Sequence, residues 1–267
     1  MIFEGKGIIL STTKFQERSL IVSCFFEEHG VFKGLYKPRI QKGGAIITVG
    51  TGDIVHAKWQ ARLSEQLGTF QLEVEKSAGI LVMGARYKPL VLQSAIAMTQ
   101  SSLNERDPQV AIFSVLLALI EKLHSINEDA WTILVDYTLL ELELLNKSGF
   151  GMDLSQCIAT GERQDLVYVS PKSACAVGKI SGEPYKDKLL PLPEFILKYS
   201  QAKDEDHENL YAETSQEDVL LGLQLTGYFL NKHFFLPADR PMPRARQHLE
   251  EYLTRLREAF SDCTRRE

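Results

Sequence analysis

Two cysteines, Cys157 and Cys175, are the side chains in this sequence whose spacing comes nearest to metal chemistry. Each stands where the first ligand of a Cys-x-x-Cys pair would stand in a zinc ribbon, but the residues three places on are Thr160 and Gly178. A structural zinc takes four sulfur or nitrogen ligands, usually as two close pairs. With half a site present, no zinc or other cofactor is expected. Residues 152–188 read instead as a zinc-finger-like insert held by packing, its thiols buried and nearly inert. The six histidines (His29, His56, His124, His207, His233, His248) are widely spaced and supply no metal pair. No GxxxxGK[ST], GxSxG or HExxH occurs, and Gly5-Lys6-Gly7 lacks the third glycine of a dinucleotide loop. A fold can bring distant residues together, so an enzyme stays open as a reading with no motif behind it. The expectation is a protein that is not an enzyme.

A second pattern concerns phosphate rather than metal. Residues 33–62 hold six cations (Lys33, Lys37, Arg39, Lys42, Lys58, Arg62) against one acid, Asp53. The chain as a whole is acidic, at -5, yet residues 1–88 carry 12 Lys and Arg against 8 Asp and Glu. Screening confines a field to roughly 8–10 Å, so a local basic surface attracts phosphates on an acidic protein. Scattered solvated charges are the plainer alternative. Phe32, Tyr36 and Trp59 lie among these cations. Trp59 shares the parity of Val55 and Ala57 and so belongs to a core, whereas Tyr36, beside a basic loop, is the expected exposed platform for a base. The loop from Lys37 to Lys42 holds three cations in six residues, and Pro38, Gly43 and Gly44 should keep it out of strand pairing.

The elements that must position these groups change character near residue 80. Gly7–Leu10 is a short apolar run, Leu20 to Phe26 alternates, and Val31–Tyr36 returns after Glu28-His29-Gly30. Val55 to Ala61 and Phe70 to Val74 alternate again. Five short strands suit a small closed barrel, either an OB-fold or an SH3-like barrel. Beyond residue 80 the period is helical. Asp107-Pro108 marks a start, Val110 to Leu123 reads as a buried core helix, and Ala130 to Lys147 ends at Gly149. Thr214-Ser215-Gln216-Glu217 has capping-box spacing before a helix to about Lys232. A last amphipathic helix follows the prolines at 237, 241 and 243, and Asp204–Glu208 is an acidic loop.

At 267 residues the chain has room for two cores, and its 44% apolar and 24% charged residues are ordinary for a globular protein. No apolar run reaches 18 residues and the start lacks signal-peptide features, so no membrane is expected and the cytoplasm is the expected address.

Several short motifs together resemble the RecO family. They are Gly7-Ile8-Ile9-Leu10, Glu17-Arg18-Ser19-Leu20-Ile21-Val22, His29-Gly30, Glu141-Leu142-Glu143-Leu144-Leu145 and Gly149-Phe150-Gly151. The resemblance continues through Asp153-Leu154-Ser155, Thr160-Gly161, Tyr168-Val169-Ser170-Pro171-Lys172, Leu189–Pro193 and Thr226–Leu230 with His233. It covers about residues 5–250. It implies an α+β protein: an N-terminal five-stranded OB-fold barrel (1–80), then a mainly helical domain (81–267) carrying the insert. It also implies DNA repair and recombination: binding single- and double-stranded DNA, annealing complementary strands, and acting with RecR to help RecA displace the single-strand DNA-binding protein SSB. A nucleoid-associated position in the cytoplasm goes with that role. Some members hold zinc in the insert. The family binds the acidic SSB tail, which needs an apolar pocket rimmed by cations, and Arg86, Lys88, Lys122 and Lys147 are the candidates. A scaffold that docks SSB or RecR without annealing is the alternative.

Overall fold

The structure, a computed structural model, describes the chain except for residues 41–45, 64–65, 202–210, 212–213 and 265–267; side chains are also undescribed at 39–40, 46–47, 82–83 and 259–264. The acidic segment 204–208 and Lys42 therefore lie outside the described residues.

The first strands are β1 (Ile2–Gln16), β2 (Ser19–Phe26) and β3 (Gly30–Tyr36), followed by the short β4 (Arg39–Ile40) and β5 (Ile46–Ile47), then β6 (Ile54–Gln60) and β7 (Gly68–Lys76). Five of them close a barrel in the order β1-β2-β3-β7-β6. Every pairing is antiparallel except β3 with β7, which run parallel. That order is the closed Greek key of an OB-fold, and it resolves the choice that strand count left open. Parity places Val22, Cys24, Phe26, Phe32, Tyr36, Val55, Ala57, Trp59, Phe70 and Leu72 in one interior cluster. Gly68 is required by that packing, because a Cβ there would stand 2.3 Å from the Trp59 ring. Strand β1 is far longer than its apolar run suggests. It pairs with β6 through residues 2–8 and with β2 through residues 7–16, so its polar far end is half of a hairpin.

Ile8, Ile9 and Leu10 are all buried, which explains an unbroken apolar run where one-sided strands alternate. The outer side is covered by helices, with Phe25 meeting Phe113 edge-on at 5.3 Å between centroids. Helix α1 (Tyr87–Ser102) packs on β1 and α2 (Val110–His124) on α1. One compact unit accordingly comprises Met1–Asn127 with Pro243–Glu267, and a second Glu128–Met242. Residue 80 marks the change from strand to helix, whereas the compact units divide after Asn127 and again before Pro243. Helix α2 begins later than Asp107-Pro108 suggests, with Gln109 at its N-cap. The segment before it pairs with the barrel instead, the Arg106 amide donating to the Val31 carbonyl at 2.9 Å. Nor is α2 buried all round: Ile112, Phe113, Leu116, Leu119, Ile120 and Leu123 form one stripe, and Val110 is exposed.

In the second unit, α3 (Ala130–Lys147) is the enclosed helix, with an unbroken buried run from Ile133 to Leu142. Asp129 caps it by accepting from the Trp131 amide, and Gly149, at φ 78°, turns the chain out of it. Strands β8 (Leu166–Val169), β9 (Ala176–Gly178) and β10 (Leu190–Pro191) make a three-stranded sheet in the order β10-β8-β9, with a helical turn at Lys179–Gly182. After α4 (Glu194–Gln201) comes α5 (Gln216–Leu230), whose capping box uses Ser215 and Asp218, one residue beyond the Thr214–Glu217 spacing. A π-helical turn at Asn231–Phe235 follows, and α6 (Arg244–Thr264) closes the chain. Among the described residues no helix is long and apolar enough to cross a membrane.

Candidate nucleic-acid interface

The basic positions on the barrel fall into two groups, separated by what faces them. Lys33 and Lys58 lie on strand walls, where a neighbouring strand or loop brings up a carboxylate. Lys33 Nζ is 2.6 Å from Glu105 and Lys58 Nζ 3.5 Å from Glu4. These pairs are half exposed, so they contribute little to stability, but each carboxylate competes with any phosphate for its lysine. Arg62 is exposed after the end of β6.

Lys37 belongs to the second group. The register of β2 with β3 sets Leu20 opposite Tyr36, so the residues next along each strand, Ser19 and Lys37, meet beyond the barrel's last rung. An open groove of about 720 Å³ lies there, lined by Gln16, Glu17, Arg18, Ser19 and Lys37. The sequence reading missed Arg18 as a site residue. Its position beside Lys37 follows from strand register alone, with no motif to mark it. The expectation that Pro38 and the glycines keep the basic loop unpaired is corrected at its base. Arg39 pairs with Ile47 and Ile40 with Ile46, so Arg39 sits on a short β-arm.

The aromatic expectations divide. Trp59 is buried as its parity implies, its indole N–H donating to the Lys33 carbonyl at 3.0 Å. Tyr36 is only 4% exposed and is no open platform. Residues 32, 34 and 36 share the inward parity, so the ring that should have met a base packs in the barrel core.

Of the four cations assigned to an SSB-tail pocket, Arg86, Lys88 and Lys122 belong to the first unit and Lys147 to the second. Arg86 is exposed at the start of α1. Lys88 is committed elsewhere: its ammonium donates to the Leu123 carbonyl at 2.9 Å and the Ser125 carbonyl at 2.6 Å, holding the C-terminus of α2. Lys122 lies in the last turn of α2, whereas Lys147 ends α3 in the other unit.

In the insert, Cys157 is 1% exposed. Its sulfur accepts from the Gly178 amide at 3.2 Å and lies 3.3 Å from Ser181 Oγ. Burial pushes the thiol up, but hydrogen bonds from Ser181, Thr160 and the Gly178 and Ala159 amides outweigh it and hold the pKa down to about 6. Thr160 and Gly178 thus do stand around Cys157. Cys175 is half-buried, and its thiol donates to the Ser173 carbonyl at 3.4 Å. Ser181, three residues past Gly178, is the neighbour that the reading overlooked. Cys157 is buried, as expected, and its thiol is more acidic than an ordinary one.

With this geometry in hand, comparison with known proteins places the chain. A family model described as recombination protein O, N terminal, matches residues 1–77, and one described as recombination protein O, C terminal, matches residues 88–239. The chain belongs to the RecO family. A DNA repair protein RecO from Methylocella silvestris is 36% identical over 257 residues, covering 96% of this chain and 97% of the relative. One from Orientia tsutsugamushi is 35% identical over 244 residues (91% and 95%), and one from a Wolbachia of Drosophila simulans 33% over 246 (92% and 98%). The N-terminal RecO match ends one residue after β7, so it coincides with the barrel. Two of the RecO-like motifs prove to be structural partners. Glu141 is fully buried and accepts from Tyr137 at 2.8 Å and from Thr226 at 2.5 Å, which ties α3 to α5.

Proposed function

We propose that this RecO-family DNA repair protein is a recombination mediator. It binds single- and double-stranded DNA, anneals complementary strands, and with RecR helps RecA load onto DNA coated by SSB, whose acidic C-terminal tail it also binds. The observation that carries this reading is the groove at the open end of an OB-fold barrel, where Arg18 and Lys37 face solvent. OB-folds take single strands in basic grooves, and such binding needs no nucleotide cofactor and no catalytic residue. The protein acts in the cytoplasm, at the nucleoid. Each phosphate neutralised on a single strand contributes about -0.7 to the slope of log K against log salt. Replacing Arg18 and Lys37 together by alanine is therefore expected to flatten that slope by about 1.4 and to slow annealing of SSB-coated strands. An unchanged slope with unchanged annealing refutes the groove as the contact.

A docking scaffold without annealing is the second reading, favoured by the ion pairs that occupy Lys33 and Lys58. It predicts SSB-tail and RecR binding with no acceleration of annealing. The same reading of the insert has no zinc. One thiol, two hydroxyls and a glycine do not make the four-ligand set of a structural site, and no group of three or more His, Cys, Asp or Glu among the described residues could hold a metal. Elemental analysis finding about one zinc per chain would overturn that.

A further inference from the structure

The hairpin that forms one wall of the groove carries a β-bulge. In the β1–β2 ladder Lys14 pairs with Leu20 and Gln16 with Ser19, leaving Phe15 as the extra residue of a β-bulge. Bulges bend a strand and re-aim a side chain, and they concentrate beside functional sites. Here the bulged residue is a phenylalanine, 48% exposed, between Lys14 and the groove-lining Gln16. The other large aromatics of the barrel are drawn inside: Phe26, Phe32, Tyr36, Trp59 and Phe70 are all buried. Phe15 alone among the described barrel aromatics combines high exposure with a place in the chain directly before the groove-lining segment, Lys14 preceding it and Arg18 following three residues on. One carboxylate, Glu17, lines the same groove.

We propose that Phe15 is a stacking platform for an unpaired base, with the flanking phosphates held by Arg18 and Lys37. This rests on the DNA-binding reading above and adds a means of telling strand state. An unpaired base offers a free π-face to an aromatic ring. In a duplex interior both faces of each base are covered by its neighbours, so only the phosphate contacts remain. Arg18 and Lys37 therefore serve both forms of DNA, and Phe15 serves single strands.

The test uses the full chain with a fluorescein-labelled oligo-dT and a duplex of equal length. Phe15→Ala should weaken oligo-dT binding about tenfold, within the range of one lost stack, and leave duplex binding and the thermal melt unchanged. Phe15→Trp should keep the affinity, and its added emission should be quenched by oligo-dT. Equal oligo-dT affinity in wild type and Phe15→Ala overturns the platform while leaving DNA binding standing. Equal losses on both DNA forms overturn it too, by making Phe15 a structural residue. If the wild type binds neither form, the DNA-binding reading itself fails and takes this inference with it.

Discussion

Two buried sulfurs, one in each unit, show opposite chemistry. Cys24 lies in the barrel core on β2, fully buried, and burial pushes its thiol far above the ordinary range. Cys157 is as little exposed but lies in the small insert rather than deep in a core, and its thiol is held down to about 6 by hydroxyl and amide donors. Burial sets a penalty on the thiolate, and the donor set decides whether that penalty is overcome. The barrel offers Cys24 rings and aliphatic chains. The insert offers Cys157 a polar nest of Thr160, Gly178 and Ser181, which packing alone would not require. The barrel is organised by apolar burial and the insert by a small hydrogen-bonded centre.

The largest effect should come from opening the barrel core. Trp59 touches Phe3, stacked at 5.4 Å, and Phe32, edge-on at 4.8 Å, and has no exposed surface. Trp59→Ala is expected to cost about 3–5 kcal/mol of unfolding free energy, read from denaturant melts. A loss below about 1 kcal/mol would show that the barrel interior is not sealed, and the contrast between the two cysteines would lose its basis.

Serine at each cysteine sharpens the comparison. Cys24→Ser buries a hydroxyl among apolar neighbours and should cost about 1–3 kcal/mol. Cys157→Ser leaves an oxygen among donors that can still use it, so at about pH 5, where both thiols are mostly protonated, the cost should be under about 1 kcal/mol. Equal losses at that pH would mean that the nest around Cys157 contributes no more than ordinary packing.

The same contrast explains what the sequence could disclose. Barrel strands declare themselves because inward and outward residues alternate, and that parity placed Trp59 correctly. Applied equally to Tyr36 it would also have placed that ring inside, but Gly34 interrupts the apolar signal at the inner position between them. The length of β1 was hidden because its outer half is polar and pairs only as a hairpin. Arg18 and Phe15 needed the register of β1 with β2 and of β2 with β3, which no single-strand pattern contains. In the insert, the two positions that meet Cys157 from farther along the chain, Gly178 and Ser181, lie three residues beyond the pair counted from Cys175. Gly178 and Ser181 repeat the x-x spacing of Cys157 and Thr160, but neither is a metal ligand in sequence terms, so nothing drew notice to them.

The smallest expected effect at neutral pH, and the most specific, is the pH dependence of the Cys157 difference. The folded pKa of about 6 lies below the unfolded value of about 9. Between those two values the unfolded chain binds more protons than the folded one, so stability rises with pH across the window. The contribution is fully present above about pH 9 and is lost as pH falls through about 6. At pH 7 it amounts to about 1.4 kcal/mol. Serine has no proton to release in this range, so the wild type should gain on Cys157→Ser steadily from pH 6 to pH 8. Cys24 has the opposite sign, with its folded thiol raised, and remains protonated in both states until the unfolded thiol begins to ionise. The wild-type advantage over Cys24→Ser should therefore stay flat to about pH 8 and then shrink. Parallel denaturant melts of the three proteins at several pH values measure both trends. A Cys157→Ser difference that does not grow with pH would show that the nest fails to hold a thiolate, and the two sulfurs would then differ in neighbours but not in chemistry.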